Sequence, residues 1–124
     1  MNNRAFFLAC RVFLSSVFVG LGIERVILAV AGTSGGTGAL AFAIFELVAG
    51  VMILVGWQVR WVALVMAAFL LVDAFLSHQF WRYAGAEQHG QLLHFLKNFT
   101  MIGGLMLLSW VEAGRRPSTA SQST

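Results

Sequence analysis

Apolar residues run almost unbroken through four stretches of the chain, and the polar residues gather between them. Each stretch is close to the roughly 20 residues that a helix needs to cross the hydrocarbon of a bilayer. The pattern predicts helices over about 5–31, 39–56, 61–80 and 92–111. Helices are expected because each satisfies its own backbone hydrogen bonds where water is absent. The connections are "AGTSGGTG" at 31–38, a flexible loop, "WQVR" at 57–60, a tight turn, and "RYAGAEQHG" at 82–90, a short polar loop. The first has no Gly-Lys-Ser/Thr ending and is therefore no phosphate loop. "GRRPSTASQST", 114–124, is too poor in apolar residues to fold alone and is expected to be a disordered tail. The expected fold is all-α: one four-helix transmembrane bundle over residues 1–113.

Composition sharpens this picture. Of 124 residues, 59% are hydrophobic and 10% charged, more apolar surface than a soluble domain of this size can hide. The net charge of +3 comes without a dense basic stripe, which argues against nucleic acid as a partner. Arg4, Arg60, Arg115 and Arg116 fall on one side of a four-span chain, whereas the opposite loops hold Arg82 beside Glu87. The bias of basic residues toward the cytoplasm then places both termini there. Trp57, Trp61 and Trp110 would line the inner interface, and Trp81 and Tyr83 the outer one. Cys10 is the single cysteine, so neither an internal disulfide nor a dithiol redox centre can form, and it reads as a buried packing residue.

Several polar residues sit inside the apolar spans. "QLLHFLKNFTMIGGLML", 91–107, carries His94, Lys97 and Asn98. With Met101 these are spaced i, i+3, i+4, i+7 and share one helix face. Asp73 and Lys97 each lie about nine residues inward from the 82–90 turn, or roughly 12 Å deep. His78 and His94 are shallower. Glu46 is in the outer half of the second span, and Glu24 and Arg25 are near the outer end of the first. An unpaired charge at mid-bilayer costs at least about 2.5–3.5 kcal/mol, so partners of opposite sign at one depth are expected. Lys97 with Asp73 or Glu46 is such a match, with Asn98 able to bridge. Gly50, Gly56, Gly103 and Gly104 would let helices approach closely. Arg11 either snorkels to the inner interface or faces inward along Arg11, Ser15, Phe18, Gly22 and Arg25.

Each of these has a plain structural reading beside a functional one. Lys97 fits an ion pair that fixes helix register as well as a ligand contact. His78 and His94 suit hydrogen-bonded boundary residues better than a metal or haem site. Asp73 and His78 are about 140° apart around an ideal helix and so make no single ligand face. No nucleophile–base pair occurs, and no metal is expected.

"FVGLGIER" after Arg11, "FELVAGVMILVGWQVR", "LSHQFW" and "FLKNFTMIGGLMLL" together resemble the DoxX family of small bacterial inner-membrane proteins with four transmembrane helices. The matching positions are Arg11 and Arg25 (the latter where the family carries lysine), Glu46, Gly50, Gly56 and Arg60, then His78, Phe80 and Trp81, and finally Lys97, Asn98, Gly103 and Gly104. The resemblance implies association with redox systems such as sulfur oxidation or oxidative-stress complexes, and contact with a quinone. This chain lacks the longer first loop of some members.

Two functions follow as expectations. In the first, the chain is an accessory subunit of a membrane redox system. It binds a quinone-like amphipathic molecule in an outer-half pocket lined by Glu46, Asp73, His78, His94, Lys97 and Asn98, with Arg11, Glu24 and Arg25 secondary. In the second, it is a non-enzymatic scaffold whose buried charges are structural and which recruits partner proteins. A solute carrier is weaker, because no inverted repeat is evident. Expected partners are membrane lipid, redox proteins and further copies of the chain.

Overall fold

Four helices account for the apolar stretches: α1 (Asn3–Val30), α2 (Gly36–Val55), α3 (Val59–Ser77) and α4 (Gly85–Arg115). The computed structural model describes residues 3–33 and 35–115. Among these there is no strand, and one short 3-10 turn, Phe80–Arg82, joins α3 to α4. All four helices are long and apolar enough to cross a membrane. Between 17% and 33% of each span's most apolar window is buried, so most of its surface must meet a nonaqueous solvent. Phe13, Val30, Leu76 and Trp110 are each at least 70% exposed, which in water would be a heavy penalty and in lipid is none. The chain is a multi-pass membrane protein. It divides after Gln58 into two compact units, each an antiparallel helical hairpin.

In the first hairpin α1 buries Ser15, Phe18 and Gly22, one stripe of its surface. A Cβ on Gly22 would lie 2.9 Å from Leu47 Cβ and 3.0 Å from its Cα, and one on Gly50 would lie 2.9 Å from Phe18 Cβ and 3.1 Å from Val19 N. The two helices cross at nearly backbone contact, and only glycine fits on the near side of each. Without a hydrophobic effect between helices in lipid, such close packing is a main source of their attraction. Gly56 ends α2 in the left-handed region, at φ 86°, where a side chain is strained. Its N–H, like that of Trp57, donates to the Met52 carbonyl and closes the last turn.

The second hairpin packs a stripe of α3, Val59, Ala63, Met66, Ala67, Leu70 and Ala74, at the helical repeat. On α4 the buried residues are Asn98, Leu105, Leu108 and Ser109. Ser109 Oγ donates to the Arg60 carbonyl at 2.8 Å, fixing the register at the end away from the turn.

Three local expectations are corrected. Helix α4 starts at Gly85, so most of the segment 82–90 expected as a loop is helical. Ala86, Glu87 and Gln88 are good helix formers, and Glu87 in the first turn complements the positive end of the helix. Polarity there sets distance from the hydrocarbon, not loss of helix. Helix α3 stops at Ser77, before His78 and Phe80. Cys10 is a free thiol but only half-buried, since α1 turns much of its surface outward. Gly114 and Arg115 end α4, and residues 116–124 of the expected tail lie outside the described residues.

Candidate functional site

Polar side chains within the spans collect in two places, one in each hairpin. In the first, Arg25 Nη1 donates to Glu46 Oε2 at 2.6 Å. The carboxylate is buried, with 7% of its side chain exposed, while the guanidinium is 44% exposed and also lies over the Phe42 ring at 5.3 Å. Helical spacing explains the pairing: Arg25 follows Gly22 on the contact stripe of α1, and Glu46 precedes Gly50 by one turn on α2. Arg11 takes the inward course of its two alternatives. Its guanidinium packs against Gly56 at the carbonyl end of α2, and its Nε is buried with no hydrogen-bond partner. A cation there meets the negative end of the helix dipole. Glu24 is exposed beside Arg25.

The second cluster sits where α3 gives way to α4. Asp73 is its centre. Ser77 Oγ donates to Oδ1 at 2.7 Å and Asn98 Nδ2 to Oδ2 at 3.0 Å, and His78 Nε2 lies 3.5 Å from Oδ2. The buried amide of Asn98 also reaches the Leu70 carbonyl at 3.4 Å. His78 Nδ1 is 3.0 Å from Gln91 Oε1, where the ring N–H donates to the carboxamide oxygen. His94 stacks on His78 with centroids 5.1 Å apart and planes 25° from parallel. The expected separation of Asp73 from His78 is thus overturned. The about 140° between them holds only on a continuous helix, and α3 ends at Ser77, so His78 follows a turn that swings it back over Asp73.

The other sequence-derived candidates divide plainly. Asp73, His78, His94 and Asn98 come together. Glu46 belongs with Arg25. Within its own hairpin Lys97 does not take the ion pair with Asp73 that its depth suggested: it lies exposed on α4, while Asn98, one residue on and about 100° around the helix, turns into the hairpin. Gln91 and Ser77 are members that the sequence reading missed. Both were accessible to it, since Gln91, His94 and Asn98 are spaced i, i+3, i+7 and Ser77 is one turn from Asp73.

An aromatic wall adjoins the polar cluster. Phe75, Phe80, Trp81, Phe95 and Phe99 form a chain of tilted and edge-to-face contacts with centroids 4.9–6.5 Å apart. A surface cleft of about 450 Å³ lies elsewhere, at the α1–α2 connection against Ala29, Thr33, Thr37 and Leu40. Among the described residues no three His, Cys, Asp or Glu side chains converge as a metal site.

Chemically, the α3–α4 cluster offers an anchored carboxylate, an imidazole poised between that carboxylate and an amide, and a second imidazole without a hydrogen-bond partner among the described residues. With Nδ1 of His78 donating to Gln91, Nε2 faces a carboxylate oxygen of Asp73.

Comparison of the chain with curated proteins and with solved structures gives no match. A family model, DoxX, matches residues 6–79, from the first turn of α1 through Gln79, and stops short of the Lys97–Asn98 and Gly103–Gly104 pairs of α4. That match takes in more than half of the chain, together with both partners of the Arg25–Glu46 bridge and the Asp73–His78 contact, and the chain belongs to the DoxX family.

Proposed function

We propose that this protein is an accessory subunit of a bacterial inner-membrane redox system. In this reading both termini are cytoplasmic, and the α3–α4 hairpin holds the headgroup of a quinone-like amphipathic molecule in the outer half of the membrane. The observation that carries it is the free imidazole of His94, stacked on a His78 that is itself held by Gln91 and Asp73. A bound quinone would supply two-electron, two-proton redox chemistry, with electrons from a partner protein. His94 suits hydrogen bonding to a headgroup oxygen. Asp73 and His78 hold a proton within reach of it, and Ser77 and Asn98 keep the carboxylate oriented. The aromatic wall gives an apolar flank for a ring and tail, the usual combination of apolar lining with few placed polar groups.

The competing reading is a non-enzymatic scaffold. It is favoured by the satisfaction of Asp73 by three neighbours, which suffices to explain the cluster as a helix clamp. Titration of a short-chain quinone analogue against purified wild type, His94→Ala, Asp73→Asn and Glu46→Gln separates the two. Binding that weakens in the first two variants and persists in the third supports the quinone site. Equal or absent binding in all four proteins leaves the scaffold.

A further inference from the structure

Arg11 carries a charge that no acid of its own hairpin answers. Its Nε is buried without a hydrogen-bond partner, and its two Nη groups form no hydrogen bond or ion pair among the described residues. The acids of the α1–α2 hairpin are Glu24 and Glu46. Glu46 is taken by Arg25 and lies ten residues along α2 from Gly56, about 15 Å from the level of the Arg11 guanidinium. Glu24 is thirteen residues along α1 from Arg11, or about 20 Å. The carbonyl end of α2 supplies only a partial negative charge. We propose that Arg11 binds the phosphate of an anionic phospholipid at the Gly56 end of α2.

Depth puts the guanidinium among headgroups. Helix α2 has 20 residues, about 30 Å at 1.5 Å each, which is the thickness of the hydrocarbon core. Its end at Gly56 therefore lies at the boundary where lipid phosphates begin, and Arg11 packs against that residue. Trp57, the next residue, is 63% exposed at the same level, the usual place of an interfacial aromatic. Gly56 makes the seat, since a Cβ there would fall within the volume that the guanidinium occupies. Contact with this backbone and burial of Nε fix the plane of the group, so that its Nη edge is a preset fork for two phosphate oxygens.

The ligand is an anionic lipid for a reason of charge. A zwitterionic headgroup would bring an ammonium to a place that has no carboxylate of this hairpin to receive it, whereas phosphatidylglycerol brings the phosphate alone. Free phosphate has the same oxygens but no acyl chains to lie on Val51 and Val55, which are exposed one turn apart on the hydrocarbon side of Gly56.

Calorimetric titration of the full chain in maltoside micelles with dihexanoyl phosphatidylglycerol, dihexanoyl phosphatidylcholine and inorganic phosphate tests this. Wild type should bind one phosphatidylglycerol roughly tenfold more tightly than phosphatidylcholine, about the size of one charge-assisted contact. Arg11→Gln should abolish the preference. Arg11→Lys, which keeps the charge but loses the fork, should keep the preference with affinity several-fold weaker. Arg60→Gln, which removes a cation of the other hairpin, should leave both affinities as they are. Phosphatidylglycerol should also raise the unfolding temperature of wild type and not that of Arg11→Gln. Equal affinity of wild type for the two lipids, displacement of phosphatidylglycerol by an equal concentration of inorganic phosphate, unchanged binding by Arg11→Lys, or a loss of preference in Arg60→Gln as large as in Arg11→Gln would each overturn the proposal.

Discussion

Arg25 and Glu46 are joined at 2.6 Å across the α1–α2 hairpin, and the bridge is lopsided: the carboxylate is buried and the guanidinium nearly half exposed. Removing the cation leaves a buried anion without its strongest partner, whereas neutralising the anion leaves a cation that can reach a polar surface. Arg25→Met should therefore destabilise more than Glu46→Gln, by about 1–3 kcal/mol, below the about 3–5 kcal/mol of a fully buried pair. The double variant Arg25→Met/Glu46→Gln should recover part of the loss. Thermal unfolding in detergent of the four proteins of this cycle checks it, and additive losses would show that the two do not interact.

Close approach of α1 and α2 rests on the missing side chains of Gly22 and Gly50. The atoms that an added methyl would meet include Leu47 Cα and Val19 N, which are backbone and cannot rotate away. Gly22→Ala and Gly50→Ala should each cost about 1–3 kcal/mol, the range of overpacked cores. Gly103→Ala, with open space around it, should change the melting temperature of the monomer little.

Asn98 makes two contacts from one amide nitrogen, to the Leu70 carbonyl and to Asp73. Asn98→Ala should cost about 1–3 kcal/mol, because buried acceptors lose their donor. Asn98→Asp should cost more, since it sets a second carboxylate against Asp73, and Asp73→Asn combined with it should relieve the strain. Melting curves of the three variants decide this. Equal stability of Asn98→Ala and Asn98→Asp would contradict the charge argument.

Cytoplasmic termini are expected from the basic residues at Arg4, Arg60 and Arg115. Reporter fusions after Arg115 and within residues 82–90 should report opposite sides of the membrane, the former cytoplasmic. A periplasmic carboxyl terminus would reverse the placement of the His78–His94 cluster.

Length and hydropathy alone determined that the chain crosses a membrane as four helices, because a lipid solvent demands about 20 apolar residues in a self-bonded backbone and leaves few alternatives. The inward stripe of α1, Ser15–Phe18–Gly22 between Arg11 and Arg25, was legible as a candidate from its 3.6-residue spacing, though not its preference over a snorkelling Arg11. Which charges meet was not legible. Depth along a helix follows from counting, so Lys97, Asp73 and Glu46 looked equally suited to one another. Direction around the helix depends on which face its neighbour covers. Packing turned Asn98 inward and left Lys97 out, and gave Glu46 to Arg25. The contact between His78 and Asp73 lay further still from the sequence, since it exists only because α3 breaks at Ser77 and the chain folds back on its last turn.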